Sequence, residues 1–428
     1  MMLTVVSSVF FFSILIGVPI AFGLGIAGVS WILFFEGLDP SILARRAYNS
    51  LNSFPLLSIP LFIMIGDLAD RCGMLPNLMR WLQLVFGWVR GGRAYISVVG
   101  SMMFAGISGT AVSDIASLGR VEIQMMKDSD YPVPYSAALV ATCAILSPII
   151  PPSVAMVLYA LAAGNVSIGG LFMAGLMPGV LLGLGLIIMS WYKARTGLYG
   201  RLTAFPTFAE LVPQTIRLIP IVMLPVIIVG GIVSGIMTVT ESAAIGVVYT
   251  LFIGFAVTRK LRLRDLYAAT VYSCVISSVI GMLIAAGAIV SWILTRNQVT
   301  QQLADFLATL TTDPTLFMVV VAIALLLLGT VMDAVAIIIA LVPLLAPIAK
   351  VYGIDDLQFG VVFVVCCMVG LITPPVGVIL AMTASVANIP FESISREIWP
   401  FVVCCMVVIA LIIVFPQLTL WLPRSLGF

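Results

Sequence analysis

The sequence GISGTAVSD at residues 106–114 interrupts a long apolar segment, and GTVMD at residues 329–333 interrupts a second one. A double proline follows each interruption, in PIIPPS at residues 148–153 and in GLITPPVG at residues 370–377. The glycine, aspartate and proline positions recur at spacings of 220 (329 − 109), 219 (333 − 114) and 223 (374 − 151) residues. The same signatures in the same order predict an internal repeat.

The composition around these stretches is that of a membrane protein. Hydrophobic residues make up 62% of the 428 positions and charged residues 9%, whereas soluble domains carry roughly a quarter charged residues. Apolar runs at 169–191, 267–292 and 399–420 approach or exceed the roughly 20 residues that cross a bilayer as a helix. The composition predicts an all-α polytopic membrane protein. The net charge of +2 and the lack of an arginine-rich tail argue against nucleic-acid binding.

The pattern along the chain predicts spans, hairpins and breaks. Residues 3–35 form one or two helices, a polar stretch at 39–52 lies near an interface, and residues 77–89 have the composition of an interfacial helix. We interpret residues 95–118 and 316–349 as re-entrant hairpins, and we place helix breaks near 148–153 and 370–377. The remaining apolar segments predict spans at 54–68, 137–163, 169–191, 218–235, 242–257, 267–292, 359–386 and 399–420.

The distribution of cations supports the hairpins. If both hairpins return to the side they left, fifteen of the 20 Lys and Arg residues share one side, and the positive-inside rule makes that side cytoplasmic. If either hairpin were a full span, the asymmetry would largely vanish. The fifteen are Arg71, Arg80, Arg90, Arg93, Arg120, Lys127, Lys193, Arg195, Arg201, Arg217, Arg259, Lys260, Arg262, Arg264 and Arg396, against Arg45, Arg46, Arg296, Lys350 and Arg424.

The two repeats comprise residues 1–215 and 216–428. If both hairpins return to the side they left, these repeats have opposite orientations across the membrane. The first hairpin enters from the cytoplasm and the second from the opposite side. Inverted repeats with broken helices are a transporter architecture, with substrate and coupling ions held near the midplane between the repeats. The sequence therefore predicts a secondary transporter.

The interruptions and double prolines carry the predicted ion chemistry. Pro151–Pro152 and Pro374–Pro375 donate no amide hydrogen and free backbone carbonyls in mid-membrane, and a desolvated sodium ion is one way to satisfy them. Asp114 and Asp333 are ionisable residues at or near intramembrane positions, which indicates a functional role. The hairpin tips supply half-helix N-termini that suit a substrate carboxylate. The hydroxyl oxygens that would complete the ion cages belong to Ser108, Thr110, Ser153, Thr330 and Thr373.

At these residues the sequence resembles the large permease subunit of tripartite ATP-independent periplasmic (TRAP) transporters, over essentially the whole chain. The resemblance implies an elevator-type transporter that imports an organic acid with two or more sodium ions. It also implies two partners, a small four-span membrane subunit and a periplasmic substrate-binding protein, in the bacterial inner membrane. The segments that carry the match are 58–62, 106–114, 148–153, 238–243, 291–295 and 370–377.

The resemblance and the chemistry together select two sodium sites. No organic cofactor is expected, and no ATP site is expected because no Walker A motif occurs. Ser108, Ser153, Thr330 and Thr373 are also candidate substrate contacts, as is Arg296, which is alternatively an interfacial arginine. The N-terminal sodium site comprises Ser108, Gly109, Thr110, Ser113, Asp114, Pro151, Pro152 and Ser153, and the C-terminal site comprises Gly329, Thr330, Asp333, Gly370, Thr373, Pro374 and Gly377.

Three other functions remain open from the sequence. A stand-alone dicarboxylate/sodium symporter of related fold would need no binding protein. An intramembrane aspartyl enzyme would need the Asp114 and Asp333 carboxyls in contact, and the absence of histidine removes Ser-His-Asp chemistry. A purely structural membrane subunit would leave the polar, broken helices unexplained. The substrate is undetermined among sialic acid, a C4-dicarboxylate and a keto acid.

Overall fold

A computed structural model describes residues 2–36, 39, 41–164, 166–196 and 204–428, and all regular elements in these ranges are helical. Arg201, one of the counted cations, and Pro40, in the polar stretch, lie outside the described residues. The first eleven helices are α1 Met2–Leu15, α2 Ile20–Trp31, α3 Ser41–Leu51, α4 Ser58–Arg71, α5 Met74–Phe86, α6 Gly92–Ser108, α7 Ala111–Asp114, α8 Arg120–Lys127, α9 Val133–Ala144, α10 Val154–Ala163 and α11 Ile168–Thr196.

A further eleven helices complete the chain. They are α12 Phe208–Val233, α13 Val239–Phe252, α14 Leu263–Arg296, α15 Val299–Leu310, α16 Pro314–Gly329, α17 Ala334–Val351, α18 Asp356–Gly370, α19 Val378–Ala387, α20 Phe391–Glu397, α21 Trp399–Val414 and α22 Gln417–Ser425. The predicted start of the second repeat, residue 216, lies inside helix α12, which begins at Phe208. A division that leaves every helix whole would therefore fall before Phe208.

Five helices in the described ranges are long and apolar enough to cross a bilayer, and counting each of three bent helix pairs as one span raises the number to eight. The five are α11, α12, α13 with the π-helical turn Ile253–Val257 that continues it, α14 and α17. These helices confirm the prediction of an all-α polytopic membrane protein.

The first hairpin folds back on itself. The first arm, α6, ends at Ser108, and the second arm runs from α7 through a π-helical turn, Ile115–Gly119, to the end of α8. A Cβ atom built on Gly100 in the first arm would lie 3.6 Å from Oε1 of Glu122 in the second. The second arm extends to Lys127, nine residues beyond the predicted end at 118.

Packing partners exchange between the two halves. The first arm of each hairpin packs on the first arm of the broken helix that follows it, α6 on α9 and α16 on α18. The second arm of each broken helix crosses to the opposite hairpin, so α10 packs on α17 and α19 packs on the second arm of hairpin 1. This exchange places the two hairpins and two broken helices in one central body. The inversion of the halves across the membrane stays a prediction.

The predicted span at 399–420 is bent in the structure. Helix α21 ends at Val414, and α22 continues at an angle of 62°. Pro416 causes the corner, because proline lacks a backbone donor and disfavours a helical conformation at the preceding residue. The N-terminal apolar segment, left open between one and two helices, forms two, α1 and α2, which pack together, and α2 also packs against α14.

Candidate functional site

The tip of hairpin 1 is shaped by a glycine and a capping threonine. Gly109 adopts a left-handed conformation with φ of 66° and ends α6, a backbone geometry that favours glycine. Thr110 then caps the second arm, because its side-chain oxygen accepts a hydrogen bond from the Ser113 N–H at 3.4 Å. The polar interruption in the sequence therefore forms the tip.

Asp114 is the buried carboxylate of this tip, with 2% of its surface exposed. The Ser108 hydroxyl donates a hydrogen bond to Asp114 Oδ1 at 2.5 Å, and the Ser147 hydroxyl donates to Oδ2. No cationic side chain of the described residues forms a salt bridge with it. A buried negative charge normally requires a compensating cation or a proton. One bound monovalent cation would therefore neutralise the charge of the Asp114 carboxylate.

The tip is bonded directly to the first helix break. The Val154 N–H donates to the Gly109 carbonyl oxygen at 3.4 Å, and a Cβ on Gly109 would lie 2.8 Å from the Pro152 carbonyl oxygen. The Ser153 hydroxyl donates to the Pro148 carbonyl and accepts from the Met156 N–H, which caps α10. Only glycine permits so close an approach of the two backbones.

The second tip and second break repeat this arrangement. The Gly377 N–H donates to the Thr330 carbonyl oxygen at 2.9 Å, at a sequence offset of 223 (377 − 154) and 221 (330 − 109) from the bond between Val154 and Gly109. Helices α16 and α18 touch through glycine backbones, because a Cβ on Gly370 would lie 2.6 Å from the Gly329 Cα atom. The double prolines are cis in both breaks.

The hydroxyls at the second site turn their hydrogens toward backbone carbonyls. Thr330 donates to Leu327 at 2.8 Å, and Thr373 donates to Val369 at 2.7 Å. A hydroxyl that donates elsewhere keeps its lone pairs available for a cation. The second site is also more open, since Val331 and Val376 are 63% and 46% exposed, whereas Pro151, Pro152 and Ser153 are buried.

Contacts other than the bonds between tip and break are made by Ser113, Asp333 and Arg296. Ser113 bonds within its own arm, where its carbonyl accepts from Ser117. Asp333 caps α17 by accepting from the Val335 N–H at 2.9 Å, so it shares no hydrogen bond with Asp114 among the described residues. The Arg296 guanidinium lies at the end of α14, 5.5 Å from the Trp292 ring. Its role as a substrate contact stays a prediction.

The structure adds residues that the motifs did not reveal. Ser147, the second donor to Asp114, lies four residues before Pro151 in an apolar stretch. A cavity of about 310 Å³ also lies where α3 and α14 face α10 and α17, and its polar side chains are Asn49, Ser50, Ser53 and Ser291. Ser291 belongs to one of the segments that resemble the family, which is the only signal the sequence offered for this cavity.

We expect Thr373→Val to weaken sodium binding at the second site. Valine keeps the branched shape, and Val369 O keeps its backbone bond from the Ile372 N–H, so stability should change little. Losing one oxygen ligand costs about 1 to 3 kcal/mol, roughly a five- to 150-fold higher sodium requirement for uptake. Thr383→Val is the matched control, because Thr383 also donates to the carbonyl four residues earlier. Unchanged sodium dependence in Thr373→Val would show that this side chain only packs.

These features define a class of protein, a polytopic membrane protein with paired hairpins and broken helices around a polar centre. The Alcanivorax borkumensis YdaH transporter shares this fold, with a TM-score of 0.64 over 91% of this chain and 90% of that one at 14% identity. Among the described residues, no three His, Cys, Asp or Glu side chains gather into a metal site.

The family follows from the sequence. The family model of the tripartite ATP-independent periplasmic transporter, DctM component, matches residues 8–418. The sialic acid TRAP transporter large permease protein SiaM of Vibrio cholerae is 32% identical over 95% of both chains. The 2,3-diketo-L-gulonate TRAP transporter large permease protein YiaN of Escherichia coli is 34% identical over 94% of this chain and 93% of that one. The chain belongs to the TRAP transporter large permease family.

Proposed function

We propose that the chain imports an organic acid by sodium-coupled symport with an elevator-type movement. Membership of the TRAP family assigns it to secondary transport. The coupling ion and the movement are the further steps of the proposal. The observation that carries it is the buried Asp114 carboxylate, which has two hydroxyl donors and no cationic partner within the described ranges.

Sodium fits the first tip because the available ligands are oxygens. The Asp114 carboxylate, the Ser108 hydroxyl and the carbonyls freed at the break are hard donors, and hard cations prefer such ligands. A desolvated monovalent cation would also balance the buried charge. Ser147 would act as a positioning residue that fixes the second carboxylate oxygen.

A second ion is proposed at the other tip. It would be held by carbonyl and hydroxyl oxygens around Thr330 and Thr373, with Asp333 nearby as the cap of α17. Because each tip is bonded to the break of its own half, ion binding would hold hairpin and broken helix together. The four segments would then move as one body.

The proposed substrate is a carboxylate. Sialic acid and 2,3-diketo-L-gulonate, which the names of two relatives specify, are both organic acids. The N-termini of the second arms at the tips and breaks favour an anion. The cavity between α3, α14, α10 and α17, which has three serines and one asparagine in its lining, has a volume in the range of small-molecule sites.

We propose that the chain works with a small four-span subunit and a periplasmic binding protein in the bacterial inner membrane. The family description names a three-part periplasmic system, of which this chain is the large permease component. A stand-alone dicarboxylate/sodium symporter is the competing function. That alternative predicts full uptake by the purified chain alone, whereas our proposal predicts uptake only when all three components are present.

The test is uptake of labelled sialic acid, 2,3-diketo-L-gulonate and C4-dicarboxylates into vesicles that contain the chain and both partners. We expect accumulation of at least one acid when an inward sodium gradient is the only energy source. Replacing sodium with potassium should abolish accumulation, and adding ATP should not restore it. Equal uptake in potassium, or a strict ATP requirement, would refute sodium coupling.

A further inference from the structure

Glu122 is a second buried acid, in a position that the transport chemistry does not use. It lies on α8 in the second arm of hairpin 1, and only 1% of its surface is exposed. Neither carboxyl oxygen forms a hydrogen bond within the described part of the chain. A buried polar group without partners is rare in native proteins and calls for an explanation.

The carboxyl group of Glu122 points into a joint between three helices. Its Oε1 atom is 3.6 Å from where a Cβ of Gly100 on α6 would lie, and Leu82 and Met79 of α5 border the same point at 3.2 and 3.6 Å. Helix α5 also packs on α12. The acid therefore sits between hairpin 1 and a helix that connects the hairpin to the rest of the membrane bundle.

Among the described residues, no cationic side chain forms a salt bridge with Glu122. The titratable groups that influence it are Asp114 on its own arm and Cys143 on α9, and Ser101 is a polar neighbour on α6. Helix α19, which also packs on α8, has no charged residue, and α5 presents Leu82 and Met79. Burial, followed by the charge of Asp114, raises the pKa of the Glu122 carboxyl well above its ordinary value.

The hydrogen bonding of Asp114 and Glu122 differs, so that Asp114 suits a metal cation and Glu122 suits a proton. Asp114 receives two hydroxyl hydrogen bonds, which favour a carboxylate. Glu122 has only the Ser101 hydroxyl as a polar neighbour, and neither of its oxygens has a hydrogen bond of acceptable geometry within the described residues, so an ion such as sodium would remain largely uncoordinated there. A proton needs no coordination shell and neutralises the acid directly.

We propose that Glu122 is a proton-binding site whose occupancy favours closure of α5 on hairpin 1. Loss of the proton would leave a carboxylate that must reach water, which requires the joint to open. Exposed Arg120 and Lys127 on the same helix bring the aqueous phase within two turns, on the side that the cation asymmetry assigns to the cytoplasm. The cytoplasmic proton concentration would then control whether α5 is closed on hairpin 1.

Infrared spectroscopy of the full-length protein in lipid tests the protonation directly. At neutral pH we expect a protonated-carboxyl absorption in the wild type that Glu122→Gln removes. Asp128→Asn, an exposed acid six residues away, should not remove it. If the spectrum of Glu122→Gln superimposes on that of the wild type, Glu122 is ionised and the proposal is wrong.

The thermal stability of the same proteins gives a second readout. Below about pH 4.3, the ordinary pKa of a glutamate, Glu122 is neutral in both folded and unfolded chains. As pH rises above that value the unfolded chain loses the proton first, so the melting temperature should fall until the raised folded pKa is passed. Glu122→Gln should remove this part of the pH dependence. An identical pH profile in wild type and Glu122→Gln would overturn the proposal.

A third experiment rests on the proposed function. In the sodium-driven uptake assay, the pH dependence of the wild-type rate should flatten in Glu122→Gln while sodium dependence is retained. If sodium-driven uptake fails in the wild type, the proposed function fails and the infrared result still decides the proton site. If uptake is intact and its pH dependence is the same in the variant, closure of the joint is not controlled by Glu122.

Discussion

Replacing Asp114 with asparagine is expected to abolish sodium-driven uptake while leaving the protein folded in the membrane. Asparagine keeps the shape but removes the negative charge, and its amide nitrogen would face one of the two serine hydroxyls that now donate to the carboxylate. Removing one partner of a buried charge pair costs about 3 kcal/mol or more, roughly a hundredfold weaker binding.

The measurement is sodium-dependent uptake together with the amount of protein in the membrane. Asp128→Asn provides the control, because Asp128 is exposed and accepts a hydrogen bond from Gln124 in the same helix. That variant should transport like the wild type. Normal sodium dependence in Asp114→Asn would exclude the carboxylate as an ion ligand.

The second large effect is expected from Gly370→Ala. A Cβ at residue 370 would lie 2.6 Å from the Gly329 Cα atom and 3.0 Å from the Leu326 carbonyl oxygen, and these backbone atoms cannot rotate away. Hairpin 2 must separate from the broken helix, which displaces Thr330 from Gly377. We expect a cost of about 3 kcal/mol and a loss of uptake of roughly a hundredfold.

Gly230→Ala is the matched control for this effect. Gly230 is also in a membrane helix, α12, but outside the adjoining backbone of that helix no atom lies within 4 Å of the position that a methyl group at residue 230 would occupy. The control should express and transport normally. Normal uptake by Gly370→Ala would show that the contact between α16 and α18 is not needed for the second site.

The sequence was sufficient to place the two tips and the two breaks. Gly109 and the Pro151–Pro152 pair interrupt helices through their own backbone chemistry, which is local and therefore visible in the sequence. The corner at Pro416 was equally local, yet the hydropathy of residues 399–420 obscured it. Long apolar runs predict membrane immersion, and they carry little information about a bend inside the run.

The residues that the sequence did not reveal depend on contacts between distant segments. Ser147 is a functional candidate because the break before Pro151 brings it to Asp114, 33 residues away in the chain. Glu122 lies among charged residues of a short amphipathic helix, where an acid is normally solvated. Its burial results from the packing of α8 against α6 and α9, which no local pattern indicates.

The most direct test of the two sodium sites is the number of sodium ions bound by the purified protein at equilibrium, measured with radioactive sodium. We expect two ions per chain in the wild type. Asp114→Asn should lose the first ion and keep the second, and Gly370→Ala should lose the second and keep the first. Absence of sodium binding in the wild type, or two ions retained in both variants, would contradict the assignment of the tips as sodium sites.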